Sequence, residues 1–249
     1  MRREYEKELS INLNGTTDHV DCINHCLQYA FGECTQLHFK RCKECDQLFD
    51  FFDIIKEYLP LEHHPILEEN KEKLVYFLAH QARKTYLNAQ FKAQLLELDE
   101  KGALILADYK MKILPKSARE KKEQFFGKRG WSLHTIIVLT KKNSVVEVEA
   151  FDHWSSDTRQ DAWFTASSFN AVFETLECKP EWIKIFSDNG GHYHCSEMMA
   201  IVRNWHQWYD IDVHGWYFFE PGEAKSLVDS HHATVRLSLN YCFYRFTFF

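Results

Sequence analysis

The chain has 249 residues, 45% of them hydrophobic and 15% aromatic, with a formal net charge of −6; that is room for one domain with a full core plus a smaller module, and it excludes a disordered chain. The acidic balance excludes a uniformly basic coat for nucleic acid, though not a local basic path. No stretch approaches the roughly 18 apolar residues of a membrane span, and the opening Met1-Arg-Arg-Glu4 lacks the apolar segment of a signal peptide, so an intracellular location is expected.

Residues 1 to about 18 are a polar lead-in. Five of the eight cysteines follow closely: Cys22, Cys26, Cys34, Cys42 and Cys45. In a reducing compartment such clustering points to a metal rather than to disulfides. Cys34, His38, Cys42 and Cys45 form a Cys-x3-His-x3-Cys-x2-Cys array. Three thiolates and an imidazole suit tetrahedral zinc, and with no open position the ion would be structural. His19, Cys22, His25 and Cys26 are spare candidates, any of which can replace His38; unliganded core cysteines are the plainer alternative.

From Asp46 the pattern is helical, with Leu48, Phe51, Phe52, Ile55 and Tyr58 at three- and four-residue steps up to Pro60. Glu62-His-His-Pro65 reads as a connector. A longer helix is expected over about 67–97, with Leu74, Phe77, Leu78, Ala82, Tyr86 and Phe91 inward and Lys71, Lys73, Arg83, Lys84 and Lys92 on a solvated face, a path for a phosphate backbone being the alternative. The expected organisation is a zinc-binding region at 1–60, a helical linker or packing region at 61–100, an α/β core at 101–235 and an atypical tail at 236–249.

After Gly102 the grammar changes to strands. The first, about 103–109, carries Asp108 inside an apolar run, where a carboxylate must be hydrogen-bonded, paired or bound to a metal. Between Lys110 and Arg129 lie eight basic residues against two acidic ones. Lys116, Arg119, Lys121, Lys122, Lys128 and Arg129 are therefore the best local candidates for binding a polyanion such as DNA. Residues 134–140 and 145–151 read as two antiparallel strands joined by a turn. A helix at 159–177, a strand at 182–188 ending in Asp188, a helix at 196–209, a strand near 211–219 and a helical start at 225–233 follow. The aromatic alternation after Thr234 reads as an added strand, a partner-binding edge or a truncated end. The order β-β-β-α-β-α-β-α is that of the ribonuclease-H-like fold, a mixed five-stranded sheet with flanking helices.

In that topology the first and fourth strands are neighbours, and the final helix brings a third acid from the side. Asp108, Asp188 and Asp229 would then converge, and hard carboxylate oxygens crowded together suit Mg2+ or Mn2+. Glu223, in the turn before the last helix, is a rival to Asp229. Lys225, beside the third acid, would position a phosphate. His192, His194, His231 and His232 are candidates for contact with a phosphate, and Trp131, Trp154 and Trp216 for stacking on bases, with packing the plainer role for each.

Ser187-Asp-Asn-Gly-Gly-His-Tyr193 resembles the Ser-Asp-Asn-Gly-x-x-Phe/Tyr motif of the retroviral-integrase-like DDE transposases. The resemblance spans about 103–235, and the zinc-binding region ahead of the core is a further likeness. It implies a polynucleotidyl transferase that uses two divalent metals for phosphodiester cleavage and strand transfer, with DNA as partner and a homo-oligomer as the working form. Asp229 departs from the family's usual glutamate and reaches one methylene less far. A metal-dependent nuclease, or a noncatalytic DNA- or protein-binding derivative, is the alternative.

Overall fold

The computed structural model describes residues 15–113, 130–220 and 226–246, together with Tyr5, Leu9, Ile11 and Asn12. The chain divides into two compact units, Met1–Glu97 and Leu98–Phe249.

In the first unit, a short helix α1 (Leu27–Ala30) precedes α2 (Lys43–Tyr58), a 3-10 turn (Leu61–His63) and the long α3 (His64–Glu97). Helix α2 starts at Cys42, whose sulfur accepts a hydrogen bond from the Cys45 N–H. It stops at Leu59, held in an extended conformation ahead of Pro60, as a residue preceding proline usually is. Cys45 and Phe49 are the buried residues of α2. They lie four apart, on one helical face. The pattern read from Leu48, Phe51 and Tyr58 is thus rotated: Phe51 and Tyr58 are exposed, as is Phe77 on α3. Tyr5, Leu9, Leu27, Phe49, Leu78 and Ala82 make one core, so α3 shares the interior of the cysteine-rich segment.

The second unit is a five-stranded sheet built from β1 (Gly102–Ile113), β2 (Trp131–Lys142), β3 (Val145–Ser155), β4 (Trp182–Asp188) and β5 (Asp212–Phe219). The spatial order is β3-β2-β1-β4-β5. β1 pairs antiparallel with β2 and parallel with β4, β2 pairs antiparallel with β3, and β4 parallel with β5. This is the ribonuclease-H-like arrangement. Three further helices link the strands: α4 (Ala162–Thr175), α5 (Ser196–Val202) and α6 (Trp205–Tyr209). Asp161 caps α4 by accepting from the Phe164 N–H at 2.9 Å. Asp210, with φ of 60°, ends α6 in the left-handed region and turns the chain into β5.

Strand pleating sorts β1 onto two faces. Ala103, Ile105, Ala107 and Tyr109 join Phe169, Val172, Phe173 and Trp205 in the main core. Leu104, Leu106 and Asp108 occupy the other face. There α7 (Ser226–Phe246) lies, bonded to the sheet through His231 and His232.

Helix α7 is longer than expected. The strand read from the aromatic alternation after Thr234 does not form, because the helical hydrogen bonding continues to Phe246. No glycine or proline follows Gly222, so nothing in the sequence stops a helix once it has nucleated. Among the described residues no helix is long and apolar enough to cross a membrane.

Candidate active site and cysteine clusters

The β1–β2 register sets Asp108 opposite Thr135, and the β2–β3 register sets Thr135 opposite Asp152. Directly opposed residues share a face, so the three side chains form a row across the sheet beneath α7. The parallel β1–β4 register pairs Leu106 with Phe186. Carried two residues further, it puts Asp108 beside Asp188, the last residue of β4. Ligand atoms of Asp108, Asp229 and His232 lie within 4.8 Å of one another. Asp229 and His232 are three apart on α7 and so lie on one helical face.

A hydrogen-bonded chain holds His232 in place. The Thr135 hydroxyl donates to Asp152 Oδ1 at 2.6 Å. Having spent its one hydrogen there, it can only accept from His232, whose Nε2 is 2.9 Å from Thr135 Oγ1. The network therefore fixes the tautomer with hydrogen on Nε2 and leaves the Nδ1 lone pair as the ring's acceptor. Asp152 Oδ2 in turn lies 2.9 Å from His231 Nε2. Burial, assisted by the nearby Lys110 cation, pulls the His232 pKa down to about 4. The imidazole is thus neutral near pH 7, the form in which histidine binds metals.

Asp188 is held by the turn that follows it. The Gly190 N–H donates to Asp188 Oδ1 at 2.8 Å, and His192 Nε2 lies 3.5 Å from the same oxygen. A Cβ at Gly190 would fall 2.4 Å from the His192 ring and 2.8 Å from Asp188 Oδ1, so this close approach requires glycine. His194 Nδ1 is 2.6 Å from Asn189 Oδ1, and Trp216 Nε1 donates to Ser187 Oγ at 2.8 Å. These contacts give the motif residues structural work in shaping the turn.

Below the acids, on the other face of the sheet, lies a buried aromatic and histidine layer. The His134 ring stacks on Tyr109 with centroids 4.2 Å apart, and its Nε2 is 2.8 Å from the Tyr193 hydroxyl. Burial, then repulsion from His153, His192 and His232, holds His134 well below the ordinary histidine range. The Tyr193 hydroxyl is pushed well up by burial, then by Asp108, Tyr109 and Asp188. Both Asp108 and Asp188 thus lie near enough to act electrostatically on one buried hydroxyl.

The sequence-predicted acids are therefore distributed as follows. Asp108 and Asp229 are brought together, with His232 as a third donor; Asp188 stands at the end of the adjacent strand. The sequence alone offers His232 as a phosphate contact or packing residue and not as a metal donor. Its spacing of three from Asp229 on an expected helix was the signal for a shared face. Trp131 and Trp154 are exposed and pair edge-to-face at 6.2 Å, whereas Trp216 packs against the main core. Lys116, Arg119, Lys121, Lys122, Lys128, Arg129, Glu223 and Lys225 lie outside the described residues.

In the first unit, His19, Cys26, Cys34 and His38 form one group, and Cys22, His25, Cys42 and Cys45 another, each with its ligand atoms within 4.8 Å of one another. The array expected from Cys34, His38, Cys42 and Cys45 is not brought together as one group: Cys34 and His38 lie in the first and Cys42 and Cys45 in the second. The division follows from chain folding, since a bridge between Cys22 and Lys40 brings the first knuckle beside Cys42 and leaves Cys34 and His38 in the loop between. The four residues treated as spares complete the two sets. These donor sets suit a structural zinc region.

No family model matches the chain, and no curated protein matches it. Among solved structures, the chain is similar to one in the crystal structure of the Mos1 strand transfer complex, with 13% identity over 83% of this chain and 70% of that chain and a TM-score of 0.32. A likeness so slight bears on neither the site nor its chemistry.

Proposed function

We propose that this protein is a divalent-metal-dependent polynucleotidyl transferase acting on DNA, of the transposase or integrase kind. The observation that carries the reading is the meeting of Asp108, Asp229 and His232 within 4.8 Å, beside the strand that ends in Asp188. Asp108 and Asp229 offer hard oxygen donors suited to Mg2+ or Mn2+, and His232 adds a nitrogen that Mn2+ accepts more readily than Mg2+ does. A second position, between Asp108 and Asp188, completes the proposed pair.

Cations bound there would supply charge for activating water or a DNA 3′-hydroxyl and for stabilising the leaving oxygen of a phosphodiester. The chain's own residues do the positioning. Thr135 and Asp152 orient His232, the Gly190 N–H orients Asp188, and the burial of Tyr193 and His134 keeps the floor of the site dry and uncharged. The basic segment that ends at Arg129 and the exposed Trp131–Trp154 pair are the proposed DNA contacts, one for the phosphates and the other for bases. A homo-oligomer that joins two DNA ends is part of the same proposal, as is a nuclear location.

The test is Mg2+- or Mn2+-dependent processing of a labelled DNA panel, with Asp108→Asn and Asp188→Asn run in parallel. Each substitution is expected to lower the rate by more than about 100-fold, beyond the 10–100-fold typical of losing an outer-shell partner. Joined products identify a transferase and simple breaks a nuclease. DNA processing that both variants retain would overturn the assignment.

A further inference from the structure

We infer that the first unit binds two zinc ions, one in a Cys2His2 site (His19, Cys26, Cys34, His38) and one in a Cys3His site (Cys22, His25, Cys42, Cys45), with the ligands of the two sites interleaved along the chain. A tetrahedral zinc with Zn–S of about 2.3 Å and Zn–N of about 2.0–2.1 Å sets neighbouring sulfur and nitrogen ligands roughly 3.6 Å apart. His25 Nδ1 lies 3.4 Å from Cys22 Sγ, 3.6 Å from Cys42 Sγ and 3.7 Å from Cys45 Sγ. One nitrogen thus stands at the tetrahedral edge length from three sulfurs at once. In the other group His19 Nδ1 lies 3.3 Å from Cys34 Sγ and 3.9 Å from Cys26 Sγ, values that bracket the same edge.

Ordinary packing explains these groups poorly. All five cysteines are free thiols. Cys22, His25, Cys26 and Cys45 are at most 5% exposed, and burying several ionisable groups together is unfavourable without a compensating partner. The buried Nε2 of His38 has no hydrogen-bond partner among the described residues. The Cys45 N–H donates to Cys42 Sγ at 3.4 Å, a backbone bond of the sort that supports a ligating thiolate.

In chain order, His19 belongs to the first site, Cys22 and His25 to the second, Cys26, Cys34 and His38 to the first, and Cys42 and Cys45 to the second. Adjacent residues His25 and Cys26 therefore serve different ions. Neither site can close from one contiguous segment, and loss of either ion loosens the turn that carries ligands of both.

The experiment measures zinc per chain in the purified full-length protein by elemental analysis. It is followed by exchange with Co2+, whose thiolate charge-transfer absorption counts cysteine-ligated ions and ignores any ion held by carboxylates. Two zinc ions per chain and a cobalt titration that breaks at two equivalents are expected; one or none overturns the inference. Cys22→Ser and Cys26→Ser should each remove at least one ion. Wild-type content in either variant would show that the replaced cysteine holds no ion and sink this partition. Should a variant fail to fold, alkylation of the wild-type protein decides. Cys22, Cys26, Cys34, Cys42 and Cys45 should resist the reagent until a chelator is added, while exposed Cys178 reacts at once. Labelling of Cys22 or Cys26 before chelation counts against the inference.

Discussion

His232 shows how much one residue's chemistry depends on neighbours distant in sequence. Its neutral state comes from burial, and its tautomer from Thr135, which is itself committed to Asp152. Thr135→Val keeps the shape and removes the hydroxyl, freeing the imidazole to take the wrong tautomer. Mn2+ affinity, measured by calorimetry, is expected to fall about 10–100-fold, the usual cost of losing an outer-shell partner. Thr135→Ser should restore most of it. Equal affinities for all three proteins would mean that His232 does not ligate. The sequence announced Asp108 plainly, as one acid in an apolar strand. It could not announce the Thr135–Asp152 link, because that depends on the β2–β3 register.

At the scale of elements, the order of strands and helices was readable because turn residues and hydrophobic periodicity agree through most of the second unit. The last helix is not legible past Thr234, where aromatic residues recur at both strand-like and helical intervals and periodicity cannot choose between them. In the first unit the ligand types were legible but their partition was not, since it is decided by which knuckles the fold brings together. The pairing of β1 with β4 places the acids and is tightest at its start. A Cβ on Gly102 would fall 2.1 Å from the Trp182 ring, which is stacked on His214. Gly102→Ala should therefore destabilise the protein by about 1–3 kcal/mol, the usual cost of overpacking. A denaturant midpoint equal to wild type would show that Trp182 moves aside without penalty.

At the scale of the whole chain, the two units carry different chemistry: soft sulfur and nitrogen donors before Glu97, and carboxylates with one imidazole after it. All seven tryptophans lie in the second unit, so indole emission reports on that unit alone. A strong zinc chelator should reduce the helical circular dichroism contributed by the first unit while tryptophan emission stays constant, because metal binding and folding are coupled in small zinc regions. A matching emission change at the same chelator concentration would instead mean that the sheet depends on the first unit's metals.

The adjacency of His25 and Cys26, assigned to different clusters, bears on which changes in chain length the protein can accept. One residue added between them would shift the spacing of both ligand sets at once, so that junction is closed to insertions. The stretch between Cys26 and Cys34 joins two ligands of one set, and Gly32 there meets nothing within 4 Å of an added Cβ. Variation in length among naturally occurring versions of this region should therefore collect around Gly32 and be absent between residues 25 and 26.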